Sequence, residues 1–216
     1  MHKTIKLSLK DFGTIPNSLR VEPKINSPVS EVVIDLARLY HHYYLDTRGF
    51  ALPNPDPAQF EHLGLLLPCA ELRVRGEGFG VGAAFRQHRS NELGQAFCRW
   101  FLYEHLSITY FALMQAVLDR PIHPGFSGMR VERVMPGDAP DYFCAKSTSN
   151  VFLAEAKGRM TSVSFASVEF ASWRKQFDRV VVREGSGALR WVKGYILATR
   201  FATAQNRASL KSTLYL

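Results

Sequence analysis

Two carboxylates and a lysine carry the clearest chemistry in this chain. Pro140-Asp141 opens an apolar run, Tyr142-Phe143-Cys144-Ala145, and a second run, Val151-Phe152-Leu153-Ala154, ends in Glu155-Ala156-Lys157. Apolar strands do not readily accept charges that lack a partner or a metal. Asp141 and Glu155 can share one hard cation such as Mg²⁺, with the main-chain carbonyl of Ala156 as a third oxygen. Lys157 follows Glu155 by two residues and so falls on the same face of a strand. There it can orient an attacking water and neutralise developing negative charge. The chemistry that uses such a set is metal-assisted hydrolysis of a phosphate ester, in which the cation activates water and stabilises the transition state.

The elements must bring residues 14 apart in sequence together. Ser147-Thr148-Ser149-Asn150 is a cluster of small polar residues that favours a turn. A hairpin folded about it makes Asp141 and the segment 155–157 cross-strand neighbours. A plain two-residue loop at Thr148-Ser149 would pair Asp141 with Ala156, and directly paired residues share a face. Asp141 would then point away from Glu155 and Lys157. The pattern therefore predicts an odd-length loop or a β-bulge.

Pro140-Asp141 followed by Glu155-Ala156-Lys157 resembles the PD-(D/E)xK signature of the restriction-endonuclease-like nuclease superfamily. The surrounding pattern agrees: residues 91–119 read as one long apolar-faced helix without proline, 129–134 as a strand, then the hairpin, 164–179 as a second helix and 192–202 as a strand. The resemblance implies an α/β fold with a restriction-endonuclease-like core, a central mixed β-sheet flanked by helices in the order α-β-β-β-α-β. The nuclease core would occupy residues 91–216, and residues 1–90 would be an N-terminal α+β extension. It also implies catalytic roles for Asp141, Glu155 and Lys157, and a metal site of Glu92, Asp141, Glu155 and the Ala156 carbonyl, holding Mg²⁺ with Mn²⁺ able to substitute. The competing reading of Glu92 is an acidic residue in a helix's first turn, where it complements the dipole. Gln176 stands where some exonuclease-like branches carry a glutamine, but Val180 replaces their tyrosine. Arg174, Lys175 and Gln176 read as a solvated face.

A net charge of +8 suits a polyanionic partner. Arg86, His88 and Arg89 are candidates for nucleic-acid backbone contacts. Three cysteines without paired spacing, Cys69, Cys98 and Cys144, read as free thiols of a reducing cytosol, the last two buried, and exclude a zinc site. The N-terminus alternates as a strand through Ile5, Leu7 and Leu9, with no signal peptide or membrane span. Residues 29–45 read as a helix, and adjacent His41-His42 on it read as ordinary helix surface. Gly76, Gly78, Gly80 and Gly82 lack the GKS or GKT ending of a phosphate loop and read as a glycine-containing strand or hairpin. Residues 210–216 read as a last strand, either packed into the sheet or ending the nuclease domain of a longer polypeptide.

The expected function is a cytoplasmic, Mg²⁺-dependent deoxyribonuclease acting on DNA in restriction or antiviral defence. By family habit it would be controlled by a regulatory protein subunit or by forming a homodimer. The alternative is a non-catalytic nucleic-acid-binding or assembly module that retains the fold.

Overall fold

Ile5 and Leu7 turn inward while Thr4 and Lys6 turn out, and this alternation makes the first strand. The computed structural model describes residues 1–216. The elements in chain order are β1 (His2–Ser8), β2 (Glu31–Asp35), α1 (Leu36–Arg48), α2 (Ala83–Leu106), β3 (Tyr110–Leu113), α3 (Met114–Val117), β4 (Arg130–Arg133), β5 (Tyr142–Ser147), β6 (Asn150–Arg159), α4 (Val168–Arg174), β7 (Val180–Arg183), β8 (Leu189–Arg190), β9 (Lys193–Arg200) and β10 (Thr213–Tyr215). No helix is long and apolar enough to cross a membrane. The chain divides into two compact units, one of Met1–Leu106, Ala156–Val163 and Leu197–Leu216, the other of Ser107–Glu155 and Ser164–Ile196. The division follows these segments in place of a single cut at residue 90, and α2 itself runs through that position.

In the first unit the strands lie in the order β2-β1-β10-β9-β6. β1 pairs antiparallel with β2 and parallel with β10, and β10 pairs antiparallel with β9, so the sheet is mixed. The Phe201 N–H donates to the Arg159 carbonyl at 2.8 Å and ties the end of β9 to β6. The expected final strand is β10, seated between β1 and β9. Helix α1 starts only at residue 36, not 29, because the branched run Val32-Val33-Ile34 pairs as β2. Asp35 then caps the helix, its carboxylate accepting from the Ala37 N–H at 3.0 Å, and Gly49 ends it at φ +75°. Helix α2 corrects the expected 91–119 helix at both ends. It starts eight residues earlier, in a turn whose polar sequence hides the period, and stops at Ser107, which takes φ +54°. Gly76, Gly78, Gly80 and Gly82 all have positive φ, so the expected strand there is a chain of tight bends.

Helix α2 crosses β6 at backbone contact. A Cβ on Gly94 would sit 2.5 Å from the Gly158 nitrogen, and one on Gly158 would sit 1.5 Å from the Ser90 carbonyl oxygen. Beside this crossing α1 packs on α2, with Arg99 Nη1 3.0 Å from Asp46 Oδ1 in a nearly dry ion pair.

In the second unit β3, β5 and β6 form one antiparallel ladder, and β4, β7 and β8 form another. The segment expected to extend the first helix is thus β3 and α3. Tyr110 to Leu113 finds backbone partners on β5, and the aromatic, β-prone residues favour that ladder over a helix. β4 is the strand expected near 129–134, but it pairs with β7 and not with the hairpin. Phe143, Ala145, Val151 and Leu153 from the hairpin share one core with Val131, Val180 and Val182 of β4 and β7. The second helix is one short element, α4, capped where Ser167 Oγ accepts from the Phe170 N–H at 3.2 Å. Gln176, expected on a solvated face with Arg174 and Lys175, is buried just after it, whereas those two are exposed.

Candidate active site

The β5–β6 hairpin contains the predicted irregularity. Ser147 pairs with Asn150 across a Thr148-Ser149 turn, Ala145 pairs with Val151, and Lys146 is the extra residue of a bulge between them. Beyond it the register runs Cys144–Phe152, Phe143–Leu153 and Tyr142–Ala154. One step further sets Asp141 opposite Glu155, on the face that Phe143 and Leu153 present to the core. The Asp141 N–H donates to Glu155 Oε2 at 3.1 Å.

Glu155 is completely buried, and Asp141 is half-buried. A carboxylate taken wholly out of water must be matched by donors or a cation, and the Asp141 backbone supplies one donor. β6 continues through Ala156 and Lys157, so alternation places Lys157 and Arg159 on the face that Glu155 occupies. Lys157 is half-buried. The donor set that suits a hard cation is the Asp141 and Glu155 carboxylates with the Ala156 carbonyl. Three or more His, Cys, Asp or Glu side chains do not gather at any one point.

Glu92 belongs to the first unit, Asp141 and Glu155 to the second. It lies in the third turn of α2, whose first turn holds no acidic residue, which also removes the dipole reading. Its Oε1 is 3.4 Å from His88 Nε2. Its charge also bears on Tyr43 of α1, whose hydroxyl is pushed up to about 12, first by burial and then by Glu92 and Glu61. Because Gly158 meets the backbone of α2, alternation along β6 turns the Lys157 side chain toward the opposite face. Among the residues proposed for a nucleic-acid backbone, Arg86 pairs with Glu77 at 3.3 Å, Arg89 lies over the Phe85 ring and His88 meets Glu92.

Two features of the structure were not read from the sequence. One is the glycine after Lys157, although glycine within a strand pattern signals close backbone approach. The other is the burial of His42, expected on a helix surface, which packs against Tyr103. Cys98 and Cys144 are buried free thiols as expected, and burial pushes the Cys144 thiol well up. Comparison of the chain with protein-family models, with curated proteins and with solved structures finds no match.

Proposed function

We propose that this protein is a metal-dependent deoxyribonuclease with a restriction-endonuclease-like core. The observation that carries the reading is the bulged hairpin, which sets Asp141 opposite a wholly buried Glu155 and links them through the Asp141 N–H. Once α3, β4, β7 and β8 are set aside as insertions, the remaining elements α2, β3, β5, β6, α4 and β9 run helix, three strands, helix, strand with the carboxylate pair on the hairpin, which supports it. In this order β3 takes the place expected for residues 129–134.

Asp141, Glu155 and the Ala156 carbonyl would hold Mg²⁺ or Mn²⁺, which supplies Lewis-acid activation of water and charge stabilisation at phosphorus when bound. Lys157 holds the attacking water and places a positive charge where the transition state gains negative charge. Arg159, two residues on, extends that charge along the strand toward a DNA backbone, in keeping with the net charge of +8. A role in restriction or antiviral defence, under control of a partner subunit or a second copy, belongs to the same proposal.

The test is cleavage of supercoiled and linear DNA with Mg²⁺ or Mn²⁺, comparing wild type with Glu155→Ala and Lys157→Ala. Metal-dependent cutting that falls by roughly 10²–10³-fold in both variants is expected, the loss typical for removing a transition-state charge donor. Cutting that survives both substitutions would remove the site.

A further inference from the structure

Arg200 closes β9 inside the first unit, between β10 and the end of β6. It is 4% exposed, and its Nη2 is sealed from solvent with no hydrogen-bond partner. A guanidinium does not shed its proton to escape such a place, and an uncompensated buried charge is strongly unfavourable. Burial lowers its pKa first, Tyr215 opposes that, and the charge of Arg73 lowers it again.

Arg73 brings no carboxylate with it. Its Nε donates to the Thr203 carbonyl at 2.9 Å, and its Nη2 donates to the carbonyls of Asn206, Arg207 and Leu210 at 3.0, 2.9 and 3.3 Å. The strand register supplies a third cation. Thr213 is opposite Arg200 and Lys6 is opposite Thr213, so Lys6, Thr213 and Arg200 form one cross-strand row on one face. Strands about 4.8 Å apart put the Lys6 and Arg200 backbones roughly 10 Å apart, a gap that the two long side chains can close around a common ligand. The acids at that edge are engaged: Glu31, opposite Lys6, and Glu71 both hold Lys211, at 2.8 and 3.1 Å.

We propose that Arg200, with Arg73 and Lys6, forms a binding site for a phosphate group. A guanidinium offers paired N–H donors that match phosphate oxygens, and a phosphate held there supplies the negative charge that the protein leaves out. The site stands on its own observation and holds whether or not the Asp141–Glu155 pair cuts DNA. Free phosphate and a nucleic-acid backbone present the same chemistry.

The test uses the whole protein in EDTA at fixed ionic strength, so that metal-dependent cleavage plays no part. Inorganic phosphate is titrated by ³¹P NMR, and a labelled oligonucleotide by fluorescence anisotropy, for wild type, Arg200→Met, Arg200→Lys and the exposed Lys6→Ala. Saturable phosphate binding, weakened about tenfold or more in Arg200→Met and less in Arg200→Lys, is the expected result for a free phosphate ligand. Oligonucleotide binding alone, with the same loss, assigns the site to a backbone phosphate. If Arg200→Met fails to fold by circular dichroism, Lys6→Ala and Arg200→Lys decide. The proposal is overturned by wild type that binds neither probe, or by folded variants that bind as wild type does.

Discussion

Mild acid should destabilise this protein steeply, because two imidazoles are buried neutral in the first unit. His42 and His62 are 3% and 1% exposed. Burial holds their pKa values down to about 3 and about 4, with the charge of Arg99 adding to the effect on His42 and that of Arg89 on His62. The hydrogen bonds around His62 give the reason in detail. Its backbone N–H donates to Tyr40 Oη at 3.1 Å, and the same hydroxyl lies 2.8 Å from His62 Nδ1, where it can donate to the neutral ring. Protonating Nδ1 would turn it from acceptor to donor and leave the buried hydroxyl proton to find another acceptor.

Both folded pKa values lie below the unfolded value of about 6.5, so between them the unfolded chain binds more protons. The stability from neutral burial is therefore complete above about pH 6.5 and is lost as pH falls toward the folded values. At pH 5 the linkage amounts to about 2 kcal/mol for each histidine, about 4 kcal/mol for the pair. His105, lowered to about 4 by burial, acts in the same direction. Against a total stability of about 5–15 kcal/mol this is a large fraction. Urea midpoints at pH 7, 6 and 5 would measure it, with His42→Leu/His62→Gln as the control, since glutamine still offers the Tyr40 hydroxyl an acceptor. Wild type should lose about 4 kcal/mol more than the double variant over that range. A flat wild-type profile, or equal slopes in both proteins, would refute the reasoning.

Further consequences follow from particular contacts. Arg99→Met removes the guanidinium 3.0 Å from Asp46, which is only 5% exposed, and should cost about 3 kcal/mol in urea unfolding, most of it recovered in Arg99→Met/Asp46→Leu. Gly158→Ala drives a methyl into the Ser90 carbonyl and should cost more than about 3 kcal/mol; a wild-type melting midpoint would mean that α2 does not seat on β6 as described. Ser107→Gly relieves a left-handed residue at the end of α2 and should raise stability by about 0.5–1 kcal/mol, read as a higher thermal midpoint. Deleting Lys146 removes the bulge while keeping the Thr148-Ser149 turn, so Tyr142 should still face Ala154, a pairing that interstrand NOEs would detect or deny.

The hairpin was legible in the sequence because its determinants are local. A turn cluster and two apolar runs specify the strands, and parity alone required the bulge that Lys146 provides. The same holds for β1, β9 and β10, where alternation or an apolar run is enough. What the sequence could not reveal was which ladder a strand joins. Residues 110–113 extend the hairpin and 130–133 pair with β7, although both are short strand-like segments, because the choice depends on partners about 30 and 50 residues away. Helix ends shifted for a related reason: Val32 and Ile34 have helix-compatible neighbours but gain more as paired strand. Burial of His42, Gln176 and Arg200 was equally out of reach, since local polarity argues for the surface and only packed neighbours remove these groups from water. The chain by itself determined the residue types and their parity on each strand. The tertiary structure decided which faces close against one another, and so made Glu155 a buried carboxylate and left Glu92 beside His88 and Tyr43.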